Sequence, residues 1–274
     1  MKPLIDGDVL VYEIGFGAKT GWQGEDTPPW NYVAKLFDLR VANICAMVGA
    51  TEPPLLFLSG PKNFRNDLAV TKVYKGTRVS HRPYHYANIV AYIKGMWDHV
   101  VSDGMEADDL MCIEQVAYEA AADSVTTIIC SRDKDLRQCP GWHFSWELGK
   151  QPQFGPENVD TQGWIKLDRT GSSPKIVGTG LSFFYSQLLT GDVVDNIPGL
   201  PGWGMVKTYN LLSTCETHHD MFNKVMYEYK NHFKRDMVGI DWVNYLTEQG
   251  RLLWMVRRLN KDGSPVMWNI GDTA

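Results

Sequence analysis

The sequence predicts an α/β fold, and three observations carry that expectation. Short apolar runs at residues 3–5, 54–58 and 124–130, the last of them β-branched, read as buried strands. Helical apolar spacing occupies residues 32–48 and 87–122 between them, so strands and helices alternate along the chain. The first and third runs end in acids, Asp6 and Asp8 after one, Asp133 and Asp135 after the other. In open α/β sheets functional groups collect at the carboxyl ends of strands, so these acids are site candidates from the start.

Composition narrows the class. A chain of 274 residues can bury one large core or two closely joined lobes. Its 44% hydrophobic and 22% charged residues are those of a soluble globular protein. No apolar run approaches the roughly 18 residues of a membrane span, and the first strand leads directly into Asp6 with no signal peptide. A cytoplasmic protein without a membrane partner is expected. The net charge of -5 argues against an indiscriminate nucleic-acid coat, but local patches, not the sum, decide binding. The five cysteines, Cys45, Cys112, Cys130, Cys139 and Cys215, form no CxxC pair and read as buried free thiols.

In chain order, residues 15–29 are rich in Gly, Thr and Pro and read as a loop, followed by the helix over 32–48 and the second strand. Residues 61–85 change character. Lys62, Arg65, Lys72, Lys75, Arg78 and Arg82 face one acid, Asp67, with Tyr74, His81, Tyr84 and His85 interleaved. Cations for phosphates and aromatics for stacking on bases are the parts of a single-strand binding surface, although a solvated loop has the same composition. A helix over 87–101, a connector at 101–104 and a helix over 105–122 follow, the last opening with Glu106, Asp108 and Asp109. Acids in a first turn complement the helix dipole. Three together repel one another unless something positive lies between them. A further strand is expected over 142–148, a hairpin over 164–167 and 175–177, and helices over 205–213, 217–234 and 241–259.

The stretch GDVVDNIPGLPGWG, residues 191–204, joins two carboxylates to a run of glycines and prolines. Asp192 and Asp195 end an apolar helical pattern three residues apart, a spacing that puts both on one face of a helical turn and lets them share a hard cation. Gly199, Gly202 and Gly204 let backbone amides approach a ligand, and a new helix opens near Val206 with Lys207 in its first turn. Amides, a helix start and a lysine suit a phosphate oxygen.

Carboxylates thus recur at four places: Asp6 with Asp8, Glu106/Asp108/Asp109, Asp133/Asp135 and Asp192/Asp195. So many anions in one cleft require cations. An all-oxygen set favours Mg²⁺ or Mn²⁺ over zinc. Two such ions about 4 Å apart activate a water and stabilise the leaving oxygen of a phosphodiester displacement.

LIDGD at 4–8, YKGTR at 74–78, EADDL at 106–110, SRDKD at 131–135 and GDVVDNIPGLPGWG at 191–204 come in the order of the flap endonuclease / 5'-3' exonuclease superfamily. The chain resembles its bacterial and bacteriophage branch over about residues 3–213. The resemblance implies a central mostly parallel sheet flanked by helices, a helical arch and a C-terminal helix-hairpin-helix region. It divides the chain into a catalytic domain over 1–180, with the arch at about 60–85, and a DNA-binding region over 181–274. It implies two Mg²⁺ ions, with Mn²⁺ as substitute, on Asp6, Glu106, Asp108, Asp109, Asp133, Asp135, Asp192 and Asp195, with Lys75 and Arg78 catalytic at the scissile phosphate. Tyr74, Arg82, Gly199, Gly202, Gly204 and Lys207 would bind DNA, with a potassium ion at the hairpin. The implied activity is 5'-3' exonuclease and flap endonuclease cleavage of duplex DNA with a 5' end or flap, leaving 5'-phosphates, by a monomer that also meets RNA primers. The absence of a polymerase domain after residue 274 favours a stand-alone phage enzyme acting in host cytoplasm. Two departures stand out. Ser59 occupies the place of an acid after the second strand, where Asp8 is the candidate replacement, and Lys207 lies one residue further out than the family's spacing. A PIN-like ribonuclease and a junction-binding protein without catalysis are the competing readings.

Overall fold

The computed structural model describes residues 1–23, 27–79, 81–121, 125–236 and 241–271. In chain order the elements are β1 (Lys2–Asp6), α1 (Gly7–Gly21), α2 (Trp30–Met47), β2 (Leu55–Leu58), α3 (Arg65–Leu68), α4 (Tyr86–Met96), β3 (His99–Val101), α5 (Ala107–Ala120) and β4 (Thr127–Cys130). A 3₁₀ turn at Asp135–Gln138 then precedes β5 (Gly141–Ser145), β6 (Phe154–Val159), β7 (Ile165–Asp168), β8 (Lys175–Gly178), α6 (Gly180–Thr190), α7 (Met205–Leu212), α8 (His218–Asp236) and α9 (Trp242–Leu253). The chain forms two compact units, one of Met1–Asn63, Val79–Leu136 and Gly141–Asn158, the other of Phe64–Arg78, Arg137–Pro140 and Val159–Ala274. That division differs from a boundary at residue 180, because the β7–β8 hairpin and residues 64–78 go with the later helices.

The first unit is built on a six-stranded, mostly parallel sheet in the order β3-β2-β1-β4-β5-β6. β1 lies parallel to both β2 and β4, β2 to β3, and β4 to β5. The strand order reverses between β1 and β4, which is where doubly wound sheets place their sites. Ile5 pairs with Leu56 on one side and Cys130 on the other, so Asp6 and Ser131 emerge side by side from the carboxyl edge. Buried Leu10, Ile14, Val33, Phe37, Ile44, Ile128, Phe144 and Trp146 fill the core around the sheet.

Three differences from the sequence expectations have physical reasons. Residues 15–21 are helical, because Leu10, Val11, Ile14 and Ala18 bury one stripe that outweighs the weak propensity of Gly15 and Gly17. The helix expected over 87–101 stops at Met96, and His99–Val101 adds a parallel edge strand beside β2. Among the described residues of 60–85 the only helix is the single turn α3, so the expected helical arch is absent there. Pro61, Gly76 and Pro83 interrupt it, and Lys75 adopts a left-handed φ of 53°.

In the second unit β7 and β8 pair antiparallel as the predicted hairpin. Helix α6 is buried on nearly every side, and Phe184, Leu188, Leu189, Tyr229, Leu246, Leu253 and Trp268 pack with it. Among the described residues no helix is long and apolar enough to cross a membrane, and the five cysteines are free.

Candidate active site

The carboxyl edge of the first unit's sheet gathers acids through short hydrogen bonds. Asp6 ends β1 and caps α1, accepting the Val9 N–H at 2.9 Å. Its other oxygen accepts the Ser131 hydroxyl at 2.6 Å, and Ser131 Oγ in turn accepts the Asp133 N–H at 3.0 Å. Asp133 accepts the Asp135 N–H at 2.9 Å, and Asp135 pairs with Lys134 at 2.8 Å. Ser131 is therefore the pivot between β1 and the loop after β4. Burial, and next the charge of Asp8, push the Asp6 carboxyl up to about 7, with Asp133 adding to the rise and the bonds from Ser131 and Val9 opposing it.

Ser59, which stands where an acid was expected, joins the same edge. Its N–H donates to Asp8 Oδ2 at 2.9 Å, and its hydroxyl accepts the Ala107 N–H at 3.0 Å. Asp8 therefore brings a carboxylate to the end of β2 from the first turn of α1. Glu106 caps α5 in a reciprocal box with Asp109, whose carboxylate is fully buried, and Asp108 lies in the same first turn.

Among the described residues no three His, Cys, Asp or Glu side chains are already gathered to hold one metal ion. The chemistry of the donors nevertheless fits a hard divalent cation. They are all oxygens, and Asp6 is held against ionisation by burial and like charge, a situation a cation reverses. Mg²⁺ is usually held by one or two carboxylates together with water and substrate phosphate, so a closed protein cage is not required.

Asp192 and Asp195 belong to the second unit, and their surroundings differ. They do not share a helical face as the spacing implied. Helix α6 ends at Thr190, Gly191 turns the chain with a φ of 67°, and residues 192–197 form a tight turn closed by two backbone bonds between Asp192 and Ile197. Asp192 Oδ1 accepts the N–H groups of Val194 at 2.8 Å and Asp195 at 3.2 Å. Asp195 is held by the YKGTR motif. The Tyr74 hydroxyl donates to it at 2.9 Å, Arg78 at 2.6 Å, and the Lys75 ammonium lies 3.9 Å away. Two further bonds join the segments, Lys75 N–H to the Asp195 carbonyl at 2.9 Å and Asn196 to the Val73 carbonyl at 2.8 Å. Among the described residues, Lys75 and Asn196 are the two non-glycine positions with positive φ, 53° and 61°, so both sides of this clasp carry backbone strain.

The basic segment contributes less free surface than its composition implied. Arg65 is fully buried, its guanidinium spent on carbonyls at the end of α9. Tyr74 and His85 are buried too, so Tyr74 is a clasp residue and not a stacking platform, whereas Tyr84 is 80% exposed. Arg82, part of the first unit, lies over the Tyr86 ring.

In the glycine run the roles also separate. The Gly199 N–H donates to Gln249 and its carbonyl accepts from Tyr245, so its backbone is used internally. A Cβ there would stand 2.2 Å from the Gly191 nitrogen. Gly202 and Gly204 have open space where a side chain would be, and they lead into α7 with Lys207 exposed and its ammonium 3.8 Å from the Trp203 ring centre. These two glycines, the start of α7 and Lys207 therefore lie on exposed surface, with backbone not blocked by neighbouring side chains.

No protein-family model matches the chain. A 5'-3' exonuclease of Buchnera aphidicola subsp. Schizaphis graminum is 27% identical over 232 residues, 82% of this chain and 74% of that protein. The DNA polymerase I of Rhizobium leguminosarum is 33% identical over 115 residues, which cover 41% of this chain and 10% of the polymerase. Among solved structures, the flap endonuclease of bacteriophage T5 in a pseudo-enzyme-product complex with DNA and metal ions matches with a TM-score of 0.57 at 15% identity, over 95% of this chain and 94% of that one. The T5 protein co-crystallised with metal ions matches at 0.56, also at 15% identity, over 92% and 93%. The fold is therefore that of the T5 5' nuclease, a mostly parallel six-stranded sheet with flanking helices. The sequence likeness to the Buchnera exonuclease agrees with that fold, and the chain is similar to members of the flap endonuclease / 5'-3' exonuclease superfamily.

Proposed function

We propose that the chain is a Mg²⁺-dependent nuclease that hydrolyses DNA phosphodiesters at 5' ends and flaps and leaves 5'-phosphates. The observation that carries the reading is Asp6: a buried carboxyl at the switch point of a parallel sheet, pushed up to about 7 by burial, Asp8 and Asp133. Such an arrangement disfavours the ionised carboxylate, and a bound cation would relieve that penalty at neutral pH.

Asp6, Asp8 and Asp133, with Glu106, Asp108, Asp109 and Asp135 around them, would hold Mg²⁺ or Mn²⁺. When bound, the ions supply an activated water and neutralise charge on the phosphate. The chain's own groups do the rest. Ser131 fixes the carboxylates of β1 and the β4 loop against each other. Lys75 and Arg78 turn from Asp195 to the oxygens of a substrate phosphate, where their charge is worth most in the transition state. Gly202, Gly204 and Lys207 hold duplex backbone, with a potassium ion at that hairpin, and they read phosphates, so sequence preference is low. The proposed substrate class includes RNA-DNA hybrids such as primers, and the proposed working form is a monomer.

Labelled duplex, 5'-flap and single-stranded RNA substrates incubated with Mg²⁺, Mn²⁺ or chelator test the proposal. Metal-dependent cleavage of the DNA substrates is expected. Cleavage unaffected by chelator, none with either ion, or a marked preference for single-stranded RNA would replace it with another reading.

A further inference from the structure

Two neighbouring residues of α9, Glu248 and Gln249, reach the two parts of the second unit assigned above to phosphate. Glu248 is buried and accepts three bonds from the loop entering the YKGTR motif: from the Val70 N–H at 2.9 Å, the Thr71 N–H at 2.7 Å and the Thr71 hydroxyl at 2.5 Å. Gln249 is fully buried, and its Oε1 accepts the Gly199 N–H at 3.1 Å. One turn earlier, Tyr245 donates to the Gly199 carbonyl at 2.9 Å. At the far end of the helix Arg65 donates to the carbonyls of Leu252 at 3.0 Å and Trp254 at 2.7 Å, tying the start of the basic segment to the same element.

Packing alone does not explain these side chains. The Gln249 amide nitrogen is buried among the described residues without a hydrogen-bond partner, a loss that an apolar residue of the same shape would avoid. A carboxylate at Glu248 likewise gives up hydration for bonds to a loop that is otherwise exposed at Thr71, Lys72 and Val73. Adjacent positions on one rigid helix fix two loops at a constant offset, whereas loops held separately would move independently.

We propose that Glu248 and Gln249 are positioning residues, which act by setting the offset between Lys75/Arg78 and the Gly199–Lys207 grip and so determine which phosphodiester of a bound duplex is cut. This rests on the nuclease function proposed above. The grip holds the duplex, the cations meet the scissile phosphate, and α9 sets the number of nucleotides between them.

The test is single-nucleotide mapping of the cut in a labelled 5'-flap duplex with Mg²⁺, using wild type, Glu248→Ala, Gln249→Met and, as a conservative variant, Glu248→Gln. Wild type is expected to cut mainly at one position. The first two variants should spread the cuts over neighbouring phosphodiesters and lower kcat at the wild-type position about tenfold, with KM changed less than about threefold. Glu248→Gln, which keeps an oxygen acceptor, should restore the single position. Thr71→Val, at an exposed site, should broaden the cut on its own and carries the test if Glu248→Ala does not fold. Folded variants that cut only at the wild-type position overturn the proposal. Absence of cleavage by wild type instead overturns the nuclease reading, and the proposal with it.

Discussion

Asp6 and Asp195 are both candidate metal ligands, and their surroundings are opposite. Asp6 is buried, faces Asp8 and Asp133, and receives neutral donors from Ser131 and Val9. Asp195 receives a tyrosine hydroxyl and two cations, Lys75 and Arg78. Among the described residues the groups acting on Asp6 carry no positive charge, whereas those around Asp195 do. The same residue type in the same family of motifs can therefore create a demand for a cation or satisfy one, and the neighbours decide which. In the second unit the carboxylate occupies Lys75 and Arg78, the two cations that the proposed function directs to a substrate phosphate.

Asp6→Asn breaks the first half of that contrast and carries the largest expected effect. DNA cleavage should fall by about a thousandfold in kcat. A loss below tenfold would place the chemistry elsewhere. Stability should move in the other direction. Asp6 binds its proton more tightly in the folded chain than in the unfolded one, so the metal-free protein loses stability as pH rises from about 4 toward about 7. Above that window the ionised group is a net penalty, and its removal should stabilise the metal-free protein at pH 8 by on the order of 1 kcal/mol. Thermal melting of both proteins in chelator measures it.

Asp195→Ala breaks the second half. It leaves the buried Tyr74 hydroxyl without this acceptor and releases Arg78, and the expected loss is about 1–3 kcal/mol of stability, read by denaturant melting. Gly199→Ala attacks the same region through the backbone. Its φ of 64° and a Cβ 2.2 Å from the Gly191 nitrogen should lower stability by about 2 kcal/mol or more. An unchanged melting temperature in either variant would mean that the clasp and the turn contribute nothing to the second unit. The smallest effect is expected at the grip. Lys207→Ala should flatten the slope of log affinity against log salt by about one, without altering the cut position.

The strand-end placement of Asp6 and Asp133 and the central strands were legible because each acid lies within three residues of the end of a short, strongly apolar run, a local signal. The hairpin of β7 and β8 was legible for the same reason. Strand β3 was not, since His99–Val101 follows a helical pattern without a break and is recruited by pairing with Leu56–Leu58. The helical face assigned to Asp192 and Asp195 was also wrong, because three-residue spacing fits a tight turn as well as a helix and Gly191 ends α6. Ser131, Glu248 and Gln249 had no sequence signal of their own, and Ser59 stood out only as a missing acid. Their roles come from partners distant in the chain, 178 residues away for Glu248 and Val70. Arg65 misled for the converse reason: its composition is that of a binding surface, but α9 takes its charge inside.

The contrast between Asp6 and Asp195 is tested most directly by calorimetric titration of Mn²⁺ into wild type, Asp6→Asn and Asp195→Asn without DNA. Asp6→Asn should abolish the tighter binding event, and Asp195→Asn should change its affinity by less than about threefold. Equal loss in both variants would contradict the assignment of different roles to the two carboxylates.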